Sequence, residues 1–376
     1  MRVALDVSAV PARPAGAGRY VVEIARRLPD AGVATTLVTR RGDDERWAAW
    51  SPRASRSAVV PTSRPLRLAY EATLLGRTPA ARDAVWHGPH YTMPRTGSRP
   101  TVVTICDLTF FTNPEWHEAR KVPFFRQAIR YAATHADVLL SISETTTRLL
   151  DELVRPTVPV VTAPLGVDLE RFSRSVVGDD DCVLAAGLPL DRPYLFFLGT
   201  VEPRKGLDLL LSAFDELASR DAELELWVAG QAGWGDAPLD EALRTHRFGS
   251  RIRRLGYVDD ELVAPLMRGA RAVVYPSRGE GFGLPVLEAL ACGARVVTTR
   301  DTVMQEVAGE AAWFAENGSA GSLAGVLREV ISTSPSVEHA SAARARAEIF
   351  TWDRTVAGHR DAYELALTRG RARGVQ

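Results

Sequence analysis

The sequence is poor in cysteine: Cys106, Cys182 and Cys292 are its three, far apart and with no CxxC pair among them. That excludes a disulfide framework and a cysteine-based zinc site, and reads as free thiols in a reducing compartment. There is no surplus of charge of either sign, since 46 Lys and Arg together balance 46 Asp and Glu. Binding along a nucleic-acid backbone draws on an excess of cations, so no nucleic-acid partner is expected. No stretch nears the roughly 20 apolar residues that span a bilayer. Asp6 breaks up the start, where a signal peptide would carry its apolar core. A cytoplasmic chain is expected. No short repeat period is visible, which sets aside solenoids and propellers.

What is present is an ordinary globular composition, 46% apolar and 24% charged, over 376 residues. That length exceeds one ordinary hydrophobic core and points to two domains. In the first half, β-branched runs at Val3–Val7, Thr36–Thr39, Thr101–Ile105, Val138–Ile142 and Val158–Ala163 alternate with helical stretches at Arg19–Leu28 and Lys121–Ala133. The alternation restarts after 173–190, a mixed segment containing Asp179-Asp180-Asp181 that reads as a linker. Strands are predicted at Tyr194–Leu198, Leu224–Ala229, Ala272–Tyr275 and Val296–Thr299, with helices at Leu207–Ala218 and Leu284–Ala291. Residues 339–350 read as a further helix, and Thr351 as the N-cap of one that begins Trp352-Asp353. Strand, crossover and strand in series imply an α/β chain of two doubly wound parallel sheets, with the cleft between the domains as the expected active site.

Two segments carry chemistry. Arg278-Gly279-Glu280-Gly281-Phe282-Gly283-Leu284-Pro285-Val286-Leu287-Glu288 follows a predicted strand and enters a helix. Gly281 and Gly283 permit close approach of the backbone to a ligand. The helix start offers free N–H groups to a phosphate. Glu280 and Glu288 are carboxylates that can accept sugar or ribose hydroxyls. The second segment, Gly199-Thr200-Val201-Glu202-Pro203-Arg204-Lys205-Gly206, also lies just past a strand. Arg204 supplies a bidentate fork and Lys205 a point charge, a pair suited to a diphosphate.

In order and spacing these segments resemble the retaining GT-B glycosyltransferases, and among them family 4, the group typified by bacterial mannosyltransferases. Glu280 and Glu288 match that family's E-x7-E motif, and Arg204-Lys205 its basic pair. Gly16-Ala17-Gly18-Arg19-Tyr20 resembles its acceptor-side glycine loop. Ser141-Ile142-Ser143 with Pro164–Asp168 resembles the end of its N-terminal domain, and Thr351-Trp352-Asp353 its final helix. The resemblance implies two Rossmann-like domains: an acceptor-binding one over 1–172, and a donor-binding one over 191–350 after the 173–190 linker. A helix over 351–376 would return to the first domain. It implies that Glu280 holds the transferred sugar, Glu288 the donor ribose, and Arg204 and Lys205 the diphosphate. Gly199 and the backbone from Gly281 through Phe282 and Gly283 to Leu284 would line the donor site, and Tyr257-Val258 would meet the base.

The acceptor-side candidates are Gly16, Gly18, Arg19, Tyr20, His87, His90 and Cys106, while Asp107 joins Glu280, Arg204 and Lys205 as a candidate catalytic residue in contact with the sugar. The family often carries His-Asp where this chain has Cys106-Asp107, and a thiol replaces an imidazole poorly as a hydrogen-bonding group. His87 and His90 are the nearby imidazoles; a cleft role and local loop bonding both stand for them. Pro114–His117 reads equally as acceptor contact or as packing. The basic stretch Glu118–Ala133, with Phe124 and Phe125, fits a core-facing helix and also a peripheral contact with a membrane surface.

The expected reaction moves a hexose, with mannose the family-weighted choice, from a nucleotide diphosphate sugar to a glycan, lipid-linked or small-molecule acceptor. The nucleotide sugar is a co-substrate and no further cofactor is implied. The family retains the anomeric configuration, through front-face substitution in the usual proposal. No Asp-x-Asp follows a strand in the manner of metal-dependent transferases, so no metal is expected; the leaving diphosphate would be met by Arg204, Lys205 and a helix N-terminus. A binding protein with little catalysis and a nucleotide-sugar epimerase are the alternatives. An NAD-dependent oxidoreductase would want a third glycine after Gly16 and Gly18.

Overall fold

A computed structural model of the chain describes residues 1–63, 66, 67, 70, 73, 83–95, 99–174, 178–231, 233 and 237–374. Seven strands make the first sheet: β1 Arg2–Asp6, β2 Ala34–Arg40, β3 Ser55–Val60, β4 Val85–Gly88, β5 Thr101–Ile105, β6 Val138–Ser141 and β7 Val160–Thr162. Six make the second: β8 Tyr194–Leu198, β9 Glu225–Ala229, β10 Ile252–Gly256, β11 Ala272–Tyr275, β12 Val296–Thr299 and β13 Trp313–Ala315. Neighbouring strands are parallel throughout both. The central strands read as unbroken apolar runs because a parallel sheet is covered on both faces. Tyr-Leu-Phe-Phe in β8 and Ala-Val-Val-Tyr in β11 are buried at every position. Helix Leu207–Ala218 covers one face of the second sheet with Leu207, Leu210, Leu211, Phe214 and Leu217, the three-and-four spacing of an apolar stripe.

The order of strands matters most for function. The first sheet runs β3-β2-β1-β4-β5-β6-β7 and the second β10-β9-β8-β11-β12-β13. In each, the direction of winding reverses beside the first strand: between β1 and β4, and between β8 and β11. Loops leaving the carboxyl ends of those strand pairs diverge and open a crevice, the place where doubly wound sheets bind ligands.

The two compact units are Met1–Gly166 with the chain from Trp352 on, and Val167–Thr351. The divide thus falls before residue 172. The expected linker is part of the second unit: helix Asp179–Ala185 forms within it, and Arg268 Nη2 donates to Asp179 Oδ1 at 2.7 Å. Residues 175–177 of that segment lie outside the described residues. The helix from Trp352 belongs to the first unit and packs against helix Ala17–Arg27 and strands β4 to β7. No helix among the described residues is long and apolar enough to cross a membrane.

Candidate active site

At the β8–β11 switch point the two signature segments meet. The loop after β8 carries Arg204 and Lys205, and the loop after β11 carries Glu280, about 75 residues later in the chain. The backbone stitches them together: Arg278 N–H donates to Arg204 O at 2.8 Å. The Arg278 guanidinium adds bonds to Pro203 O and to both oxygens of Asp208.

Gly206 makes the turn between Lys205 and the next helix. Its φ is 68°, in the left-handed region, and a Cβ there would stand 2.1 Å from Pro276 O. Only glycine fits this approach of one loop to the other. Gly283, with φ 97°, caps the helix Leu284–Ala291 in the same conformation.

Glu280 sits at the centre. Its Oε1 accepts from Lys205 Nζ at 2.5 Å, the Ser277 hydroxyl at 2.7 Å and the Tyr275 hydroxyl at 3.1 Å. Its Oε2 accepts from Arg204 Nη1 at 2.7 Å. Arg204 Nε reaches Glu202 Oε2 at 2.9 Å. Two cations and two carboxylates therefore balance. Burial by itself would raise the Glu280 carboxyl. The charges of Arg204 and Lys205, with the Lys205 and Ser277 hydrogen bonds, outweigh it and hold the group at about 2 instead of 4.5. Lys205 is 8% exposed, and burial, then the neighbouring Arg204, lower its affinity for a proton. The sequence pattern assigned the cations to one ligand group and Glu280 to another; the fold joins all three in one cluster.

The other donor-side residues fall around this cluster. Gly199 ends β8, and its N–H bonds to Ala229 O at 3.0 Å. Gly281 is buried, and the side chains of Phe282 and Leu284 point into the core, Phe282 edge-on to Phe350 at 5.8 Å. Those two positions offer backbone rather than side chain to a ligand. Glu288 lies inside helix Leu284–Ala291, 5% exposed. Tyr257 and Val258 follow β10 at the edge of the second sheet, with Tyr257 exposed.

In the first unit the switch point holds a cavity of about 270 Å³. Described residues lining it come from four segments: Asp6 at the end of β1 with Ala9 beyond it, Arg67, Pro89 and His90 after β4, and Lys121 with Phe124 and Phe125 from helix Lys121–His135. Of the acceptor-side residues expected from sequence, this cavity includes His90 alone. Asp6, Lys121 and the two phenylalanines were missed. A carboxylate at the end of the first strand of a doubly wound sheet was the available signal for Asp6.

The other acceptor-side candidates lie outside the lining of this cavity, Gly16 exposed and Cys106 buried. Gly16 and Gly18 build the turn into helix Ala17–Arg27, with Gly16 at its N-cap and Arg19 half-buried in its first turn. Cys106 is buried, its thiol against Pro89 O at 3.7 Å and driven by burial to a pKa well above an ordinary thiol. Asp107 folds back, its Oδ1 accepting from Thr109 N–H at 3.0 Å and the Thr109 hydroxyl at 2.7 Å at the start of a short helical turn. His117 stacks on Phe110 at 3.9 Å, so the Pro114–His117 segment is engaged in packing. Helix Lys121–His135 buries Val122, Ile129, Ala132 and Ala133 in the core and leaves Phe124 44% exposed.

Tyr20 and His87 are not ligand-facing at all. Both are fully buried in a chain of hydrogen bonds with Thr104, His359 and Tyr363. One carbonyl orients every proton in it. Thr355 O can only accept, so His359 Nδ1, 2.7 Å away, donates. Neutral His359 then accepts at Nε2 from Tyr20 at 2.8 Å, and Tyr20 accepts from Thr104 at 2.9 Å. Thr104 accepts from His87 Nε2 at 2.8 Å, and His87 Nδ1 accepts from Tyr363 at 2.8 Å. Burial keeps both imidazoles neutral, His359 at about 4 and His87 well below 6.5. The chain ties β4, β5 and helix Ala17–Arg27 to the C-terminal helix, which is a structural task.

Comparison with known proteins agrees with this architecture. Residues 14–171 match the model of Glycosyltransferase Family 4, and residues 185–348 that of Glycosyl transferases group 1. O-antigen chain mannosyltransferase B of Escherichia coli is 31% identical over 289 residues, 76% of this chain and 75% of that protein. The chain belongs to glycosyltransferase family 4. Among solved structures, sucrose-phosphate synthase from Thermosynechococcus elongatus superposes with a TM-score of 0.76 at 18% identity, covering 98% of this chain and 99% of its own. Anabaena HepE, solved in complex with UDP-glucose, gives 0.74 at 18% identity, over 98% and 100%. These two show the fold, GT-B, and the family relationship makes the chain a glycosyltransferase.

Proposed function

We propose that this glycosyltransferase moves a hexose, mannose by the likeness to the E. coli mannosyltransferase, from a nucleoside diphosphate sugar to a saccharide-bearing acceptor. Transfer retains the anomeric configuration and needs no metal. The observation that carries the reading is the Arg204–Lys205–Glu280 cluster at the β8–β11 switch point. The N–H donors of Arg204 and Lys205, held by Glu280 at the carboxyl end of β8, meet the negative charge that develops on a leaving diphosphate, and preorganised donors contribute most where charge develops. Glu280 is already oriented by four hydrogen bonds. Its Oε2 accepts one of them, and a carboxylate oxygen has two lone pairs, so the group has capacity for a sugar hydroxyl.

Titration calorimetry with GDP, UDP, ADP and NAD⁺ tests the donor site. One nucleoside diphosphate binds at micromolar affinity, and Arg204→Ala weakens it by about 1.5–3 kcal/mol, the size of a hydrogen bond to a charged group. Unchanged affinity in the variant places the diphosphate elsewhere. Transfer proceeds in EDTA with the product anomer matching the donor. Loss of activity in EDTA with rescue by Mn²⁺, or an inverted anomer, overturns the mechanism.

A further inference from the structure

The wall of the 270 Å³ cavity at the β1–β4 switch point has three kinds of chemistry. Asp6 stands at the end of β1, one oxygen accepting the Ser8 N–H at 3.0 Å. Opposite charge comes from Arg67, Arg120 and Lys121. Glu118 offsets part of it, pairing with Lys121 Nζ at 2.5 Å and Arg120 Nη2 at 2.8 Å. Three cations thus face two carboxylates. Burial pushes the Asp6 carboxyl up, against its Ser8 hydrogen bonds and Arg67. Burial also lowers the pKa of His90, against the charge of Asp107.

Arg120 and Lys121 open the helix Lys121–His135, whose first turn contains no acidic residue. Its positive end therefore adds to the cations, offset in part by Glu118 just ahead of it. The third element is apolar: Phe124 and Phe125, one turn further along, place their rings on the same wall. The volume lies just under the roughly 300–1,000 Å³ of pockets that enclose drug-sized ligands, room for about one ring and its substituent.

We propose that this cavity is the acceptor subsite and that its ligand is a phosphorylated sugar or polyol. Arg67, Arg120 and Lys121 hold the phosphate, Phe124 and Phe125 lie along the C–H face of the ring, and Asp6 accepts a ring hydroxyl. A phosphate is the anion that repays several converging cations, by charge-assisted bonds to each. The phosphate belongs to a free phosphomonoester or to a lipid-linked diphosphate, both of which present anionic phosphoryl oxygens to these cations. The proposal rests on the transferase reading.

The test uses the full chain with its donor site saturated by whichever nucleoside diphosphate binds, so that phosphate probes report only on other sites. Inorganic phosphate, glucose 6-phosphate and glucose are titrated into wild type and into the Arg120→Ser/Lys121→Ser variant. Arg120 is 76% exposed and Lys121 37%, so the variant is expected to fold. Glucose 6-phosphate binds at least about tenfold tighter than glucose, and the variant loses at least about tenfold of that while its nucleoside diphosphate affinity is unchanged. Equal binding of the two sugars, or an unaffected variant, overturns the proposal. Loss of nucleoside diphosphate binding in wild type faults the donor reading instead. In a second arm, radiolabelled donor is offered with glucose 6-phosphate or with a lipid-linked saccharide diphosphate in micelles. Label on either supports the subsite and names the source of the phosphate; label on neutral saccharides alone overturns it.

Discussion

Glu280→Gln separates the charge of the cluster from its shape. Glutamine keeps an acceptor oxygen toward Lys205, Ser277 and Tyr275 but removes the negative charge that Arg204 and Lys205 share. Those interactions hold the carboxyl at about 2 instead of 4.5. At roughly 1.4 kcal/mol per pH unit, that amounts to about 3 kcal/mol in favour of the folded charged form. The value agrees with the roughly 3–5 kcal/mol lost when one member of a buried ion pair is removed. The carboxyl is depressed in the folded state, so its contribution is complete above pH 4.5 and disappears as the pH falls through that value toward 2. Urea denaturation of wild type and variant should therefore differ by about 3 kcal/mol at pH 7 and by less than half of that at pH 3. The variant remains folded at neutral pH, because domains carry roughly 5–15 kcal/mol of stability. Nucleoside diphosphate binding persists, since both cations remain, while transfer falls by at least about a hundredfold, the loss of one positioned charge. An equal difference at the two pH values, or full activity, refutes the reasoning.

Other perturbations reach the rest of the structure. Tyr20→Phe strips two bonds from the buried chain, leaving His359 Nε2 without a donor and the Thr104 O–H without an acceptor, and should cost about 1–3 kcal/mol by thermal or urea unfolding; wild-type stability would show that the chain carries no load. His359 is held neutral at about 4 instead of 6.5, so its contribution is complete above pH 6.5 and declines toward 4. From that group stability should drop by about 2 kcal/mol between pH 7 and 5, and a His359→Phe variant whose slope matches wild type would contradict the assignment. Gly206→Ala forces a side chain into the left-handed region, about 1–2 kcal/mol, and toward Pro276 O. It should displace the loop that carries Ser277 and Glu280, lowering stability and nucleoside diphosphate affinity together; normal affinity by calorimetry would mean the two loops are not coupled through this turn.

The alternation of apolar strands and amphipathic helices was legible in the sequence because parallel strands buried on both faces need continuous runs such as Tyr194–Leu198. The chemistry of the donor side was legible too, since Arg204-Lys205 and Glu280 each stand directly after such a run, and local order places them at strand ends. That Glu280 neutralises both cations was not, because it depends on β8 and β11 lying side by side in the sheet. Strand β4 escaped notice: Val-Trp-His-Gly is four residues long, and its histidine and glycine break any apolar pattern. His87 is acceptable in that strand only because Tyr363, 276 residues later, supplies its proton. Tyr20 follows the same rule, its place in the core decided by partners on β5 and the C-terminal helix. The acceptor-side cavity is assembled from four separated segments, none of which carries a pattern by itself. Sequence alone determined most of the strands and the residues at their ends, where the physics is local. Only the tertiary structure decided which charged and polar groups were buried against one another, because the partner that makes such burial tolerable lies far along the chain.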